Sequence, residues 1–212
     1  MYKPETLTSN ECDLILSEIA KDRHEKVKGW KCYRNTAIVT IMLDAGLRVG
    51  EVCKLRIEDV MIQGSPVNAL NLKEGIAEKG CTRIVPVTLR IQTALFDMWA
   101  SQWHKYPTQT AFFAFYDRDP WRHITERQIQ RVCWQAGKVA IGRSINPHIF
   151  RHTFATRLMR LTNIRIVQQL LGHKHIASTQ IYTHPGADDL QAAIGALNGY
   201  LPENNSPGDR AK

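Results

Sequence analysis

Apolar positions recur at helical spacing over most of this chain. Thr8-Ser9-Asn10-Glu11 sets a cap and an acid ahead of Leu14, Ile15, Leu16 and Ile19, which predicts a first helix. A polar run over 21–28 separates it from a second helix, about Trp30 to Asp44. The apolar side of that helix is Ala37, Ile38, Ile41, Met42 and Ala45, and Gly46 is its natural stop. A short helix restarts at Val49 and runs to Leu55. Three short strands follow, Ile57–Ile62, Val67–Leu72 and Thr82–Val87, with turn signals at Gly64-Ser65-Pro66 and around Gly75–Gly80.

From Leu89 to His104 the pattern is helical again. Pro107 to His123, rich in aromatics and turn residues, reads as a loop with one extended piece, Ala111–Phe115. Ile124–Ala140 and Pro147–Leu161 are amphipathic helices, followed by Ile164–Leu171, Ile176–Tyr182 and Asp188–Leu197. The expected fold class is mainly α with a small antiparallel β-sheet (α+β). One domain should span 1–201, and the polar tail 202–212 should be disordered.

Composition narrows the class. The chain has 212 residues and is 43% hydrophobic, enough for a sizeable core. No window approaches the ~18 uncharged apolar residues of a membrane span, and the polar start MYKPETLTSNECD has no signal-peptide core. The five cysteines, at 12, 32, 53, 81 and 133, are scattered and form no C-x-x-C. They read as reduced thiols of a cytosolic protein, not as a disulfide framework or zinc knuckle.

Charge changes the picture more. The formal net charge is +8, yet no acidic residue occurs from Arg127 to Ala187. That stretch carries nine basic residues, Arg127, Arg131, Lys138, Arg143, Arg151, Arg157, Arg160, Arg165 and Lys174, and five of the eight histidines. The rest of the chain is nearly neutral, with 19 basic against 20 acidic residues. Excess charge gathered in one third of a chain suits a polyanionic partner, whereas solvated faces usually mix signs.

Three stretches carry candidate chemistry. In Asn146-Pro147-His148-Ile149-Phe150-Arg151-His152-Thr153-Phe154-Ala155-Thr156, Pro147 suits a first helical turn. Phe150, Phe154, Leu158 and Leu161 form the expected core stripe, and His148 and Arg151 share a neighbouring face. Arg151 borders the buried stripe, so it calls for an anionic partner, a ligand or a structural carboxylate. In Leu170-Leu171-Gly172-His173 the glycine ends one helix and sets His173 just past it; Tyr182 follows nine residues later, near Pro185. In Leu43-Asp44-Ala45-Gly46-Leu47-Arg48-Val49-Gly50-Glu51, Arg48 stands at a helix start. There it fits either a phosphate cradle or a surface pair with Glu51.

Together these stretches resemble the tyrosine recombinase (phage integrase) family, over about Leu7 to Pro185. That family's pattern is G-L-R-x-x-E, a turn lysine, H-x-x-R, L-G-H and a tyrosine nine residues on. Arg48, His148, Arg151, His173 and Tyr182 match it in order, within P-H-x-F-R-H-T-F-A-T and S-T-Q-I-Y-T-H. Lys79, ahead of Arg83-Ile84-Val85-Pro86-Val87, matches the turn lysine; Lys73 is its competitor, because the turn is long.

The resemblance implies a DNA breaking-rejoining catalytic fold and a site-specific recombinase. Its site would be Arg48, Lys79, His148, Arg151, His173 and the nucleophile Tyr182, acting through a 3′-phosphotyrosine without metal, ATP or other cofactor. Glu51 would buttress Arg48, and His152 would be structural. The partner would be double-stranded DNA, with assembly into a synaptic tetramer, a C-terminal helix at 187–201 that docks into a neighbour or packs on its own domain, and accessory DNA-bending proteins. No membrane would be involved, and the setting would be the cytoplasm, in association with the nucleoid, in a bacterial, phage or mobile-element context. A zinc site built from His148 and His152, or His173 and His175, lacks H-E-x-x-H, a carboxylate ligand and paired cysteines. The family's N-terminal DNA-clasping domain is missing before Leu7, as in a stand-alone catalytic domain or a fragment. A type IB topoisomerase and a non-catalytic DNA-binding or regulatory protein on the same fold are the alternatives.

Overall fold

A computed structural model describes residues 5–21, 29–106, 108 and 110–173; Lys79 is described through its backbone alone. These residues all fall in one compact unit, Met1–Tyr182. The expected segments Ile176–Tyr182, 187–201 and 202–212, and with them Tyr182, lie outside the described residues, as does the domain boundary at 201.

The fold is organised around a helix whose middle is buried on every side. α2 (Trp30–Asp44) buries each residue from Ala37 to Leu43, so neighbours must cover it all round. α1 (Ser9–Ala20), α5 (Leu89–Ser101) and α7 (Pro147–Met159) do so. α1 starts on a capping box, Thr8 Oγ1 accepting from Glu11 N while the Glu11 carboxylate accepts from Thr8 N. α6 (Glu126–Ile141) lies on α1 and repeats the box with Thr125 and Gln128. Leu7 N donates to buried Thr153 Oγ1 at 2.9 Å, and Arg143 Nη2 pairs with Glu11 at 2.8 Å. These contacts fasten the start of the chain to α7 and to the α6–α7 loop.

The strand region departs from expectation. Ile57–Val60 forms a one-turn helix, α4, not a strand. The Asp59 carboxylate accepts from Arg56 N at 2.8 Å, so a local cap outweighs β propensity. Instead of one three-stranded sheet there are two antiparallel pairs. β1 (Met61–Ile62) pairs with β2 (Ser65–Pro66), and β3 (Ala69–Leu72) pairs with β4 (Arg83–Pro86). The extended piece at 111–115 contributes a single bridge, Arg56 to Phe113. Phe115 at its end and the following Tyr116 are buried with Trp103 of the turn after α5.

α7 ends at Met159, two residues before the expected end, and Leu161 stands 82% exposed instead of in the core stripe. Phe154 and Leu158 pack in a smaller apolar cluster with Ala155, Val167 and Leu171, which fastens α8 (Ile164–Leu171) to α7. Among the described residues, no helix is long and apolar enough to cross a membrane.

Candidate active site

Three elements end at one place. α3 (Val49–Lys54) begins there with Arg48 as its cap residue. α7 presents Arg151 in its second turn, beyond an Asn146 cap whose side chain accepts from His148 N. α8 stops at Gly172, left-handed at φ +63°, which sends His173 back toward α7. The His173 N–H donates to the Gln168 carbonyl, and Gln168 Nε2 donates to the His173 carbonyl at 3.0 Å, so both the amide and the carbonyl of that residue are held.

Arg151 is 6% exposed and solves its burial with oxygen acceptors. Its guanidinium donates to the carbonyls of Gly46 and of Leu171, the latter at 2.6 Å. It also lies 3.1 Å from His173 Nε2. An arginine has no lone pair, so that nitrogen is the acceptor and a neutral ring carries its proton on Nδ1. Burial, then the charges of Arg151, Arg48 and Arg83, push the His173 pKa down to about 4. The imidazole is therefore neutral at physiological pH within a strongly positive surrounding. His152, half-buried, is lowered by burial and by His148 and Arg151. His148 itself is exposed on the first turn of α7.

Arg48 and Glu51 meet as expected. The Glu51 carboxylate accepts from Arg48 N at 2.8 Å and from Nη1 at 3.3 Å. It does more than buttress Arg48, however. Arg83 Nη1 and Nη2 donate to Glu51 Oε1 and Oε2, each at 2.8 Å, while Arg83 Nε donates to the Leu170 carbonyl at 2.8 Å. Glu51 is completely buried; burial pushes its pKa up, but Arg83, the Arg48 N–H and Arg151 pull it lower still, below the ordinary carboxylate value. Arg83 thus bolts α3, β4 and the end of α8 together. Reading the sequence missed it, because only the fold shows which side of β4 is buried. Along β4 it is Arg83 and Val85 that face inward while Ile84 is 66% exposed, an inverted alternation that implies a buried anion opposite the arginine.

Lys79 lies in a single 3₁₀ turn, Glu78–Gly80, within the β3–β4 connection. Its competitor Lys73 is committed elsewhere, to Asp59 at 2.9 Å and Glu58 at 3.8 Å on the α4 side. A cleft of about 480 Å³ opens beside the convergence, lined by Cys81, Thr82, Arg83, Arg165, Gln168 and His173 among others. Among the described residues, no cluster of His, Cys, Asp or Glu is arranged to hold a metal ion. The structure thus gathers Arg48, Arg151 and His173, leaves His148 exposed on α7 and carries Lys79 on a turn next to Glu78; Tyr182 lies outside the described residues.

Comparison with known proteins finds relatives among the tyrosine recombinases. The tyrosine recombinase XerC of Methylobacterium nodulans is 32% identical over 181 residues, 84% of this chain and 53% of its own. The tyrosine recombinase XerA of Pyrococcus furiosus is 29% identical over 198 residues, 92% of this chain and 62% of its own. The chain therefore spans between half and two thirds of the length of these relatives. A crystal structure of XerA recombinase superposes with a TM-score of 0.71 at 30% identity, covering 93% of this chain and 66% of that one. XerH bound to its difH substrate shares the fold, with a TM-score of 0.70 at 23% identity, over 93% of this chain and 55% of that one. The profile of the phage integrase family matches residues 5–188, from before α1 to beyond His173, so this chain belongs to the phage integrase, or tyrosine recombinase, family.

Proposed function

We propose that this chain is the catalytic part of a site-specific DNA recombinase that cleaves and rejoins strands through a 3′-phosphotyrosine, with Tyr182 as the nucleophile. The observation that carries this reading is that Arg48, Arg151 and His173, held by three different elements, come together, with Arg151 3.1 Å from His173 Nε2. Family membership and the DNA-bound state of the fold neighbour XerH support it.

The chemistry follows from the charges. The tyrosine hydroxyl attacks phosphorus, its proton passes to His148, and the 5′-oxygen of the neighbouring nucleotide leaves with a proton from Lys79. One phosphodiester replaces another, so the bond energy is kept and no ATP is consumed. Free tyrosine has a pKa near ~10, so only about one in a thousand is ionised at neutral pH, and a base and a positive site are both needed. The transition state gathers negative charge on its non-bridging oxygens. Two guanidiniums with fixed donors meet that charge, and His173, uncharged, adds a hydrogen bond. Loss of one such donor lowers a rate by about 10²–10³. Strand exchange would take place in a tetramer on double-stranded DNA, with segment 187–201 either docking into a neighbouring protomer or packing on its own domain.

Covalent trapping on nicked suicide duplexes tests this, with wild type and Tyr182→Phe run on denaturing gels. A protease-sensitive shifted band present only in the wild type is expected. A band that survives in Tyr182→Phe would assign the nucleophile elsewhere. Salt-sensitive DNA binding without any covalent band would favour a regulatory protein.

A further inference from the structure

Two carboxylates face Arg48, and they differ in kind. Glu51 is wholly buried and gripped by Arg83. Glu78 is 31% exposed, stands at the start of the turn that carries Lys79, and places Oε2 3.7 Å from Arg48 Nε. The Glu78 N–H reaches Glu51 Oε1 at 3.4 Å, which holds the turn against α3. Its side chain rests on Gly50: a β-carbon there would lie 2.3 Å from Glu78 Oε1 and 2.9 Å from Glu126 Oε1. The absent side chain at residue 50 makes room for the carboxylate.

We propose that Glu78 is a positioning residue that occupies Arg48 until a substrate phosphate displaces it. The assignment rests on the recombinase reading only for the identity of that phosphate. Nε and a terminal nitrogen form the edge with which a guanidinium grips an anion, and Glu78 Oε2 stands 3.7 Å from the Nε corner of that edge. A phosphate taking the same place would meet a like charge a few ångström away, so carboxylate and phosphate compete. Glu51 cannot yield, because leaving would strip Arg83 and bury an unpaired charge. Glu78, partly solvated and seated on a glycine, can swing into water at small cost. It keeps Arg48 oriented in the DNA-free protein and admits only an anion that binds more strongly than itself.

Two changes of opposite character remove the contact. Glu78→Gln deletes the charge; Gly50→Ala keeps it and pushes the flexible carboxylate aside. The first readout is a ³¹P NMR titration of the DNA-free protein with inorganic phosphate. The second is single-turnover cleavage of nicked duplexes carrying either a phosphate or a neutral methylphosphonate at the scissile position.

Both variants should tighten phosphate binding and raise cleavage efficiency on the phosphate duplex about two- to five-fold, the worth of a partly exposed ion pair. Neither should change the methylphosphonate rate, and adding Arg48→Gln should erase the gain in phosphate binding. No gain with folded variants overturns the proposal, as does an equal gain on both duplexes, which would make Glu78 a general repulsive charge. A wild type that never cleaves, while the gain in phosphate binding persists, overturns the recombinase reading and leaves the role of Glu78 standing.

Discussion

At the scale of single residues, the Glu51–Arg83 pair shows how a buried charge organises a site. Both side chains are nearly sealed from water, and their two parallel 2.8 Å bonds satisfy much of each group. Such a pair adds little net stability over an apolar pair of like shape, yet removing one partner strands the other. Arg83→Met should therefore cost about 3–5 kcal/mol in urea unfolding. Adding Glu51→Leu should recover much of that loss while leaving Arg48 without its backbone anchor. Stability would return and DNA cleavage would not. A single Arg83→Met loss below about 1 kcal/mol would mean that Arg48 and the Glu78 N–H alone suffice to hold the carboxylate.

Elements were legible in the sequence wherever the signal was local. α2 and α8 begin and end where expected, because a polar run, Asn163 and the glycines at 46 and 172 punctuate helical periodicity. Of the strand expected at Ile57–Ile62 only Met61–Ile62 forms, because the Arg56–Asp59 cap that turns Ile57–Val60 into a helix is a side-chain contact that hydropathy does not register. The motifs singled out Arg48, Arg151 and His173, which the structure brings together; Arg83 went unread, since its partner lies 32 residues away on another element. Gly46 shows the two levels meeting. It is left-handed at φ +63°, it stops α2, and its carbonyl accepts from Arg151. A β-carbon there would stand 2.3 Å from the Phe154 ring, where α2 and α7 touch. Gly46→Ala should cost about 2–3 kcal/mol, from left-handed strain plus a displaced aromatic ring. It should also slow cleavage by shifting the Arg151 acceptor. Thermal unfolding and single-turnover rates check both; a stable variant with a normal rate would show that α7 can retreat without consequence.

For the whole molecule, the question is whether its uneven charge faces DNA. The acid-free stretch begins on α6, where Arg127, Arg131, Trp134 and Lys138 recur at spacings of four, three and four. All four are exposed, on the side away from the buried Ile129, Cys133, Ala136 and Gly137. Lys138 Nζ lies 4.8 Å from the centre of the Trp134 ring, so the stripe carries a lysine already stacked on an aromatic. A solvated face would need no such ordering, and helices that meet only water usually mix both signs. If the stripe tracks a phosphate backbone, each bound phosphate releases counterions and steepens the salt dependence of binding. Neutralising Arg127, Arg131 and Lys138 to Gln should then lower the slope of log affinity against log salt by about 0.9 for each phosphate no longer neutralised, roughly two to three in all. Cleavage under saturating DNA should be unchanged, since all three sit on the solvent side of α6, whereas Arg48, Arg151 and His173 are held by α3, α7 and the end of α8. Fluorescence anisotropy across a salt series measures the slope. An unchanged slope would assign the stripe to solubility alone and leave phosphate recognition to the residues around Arg48.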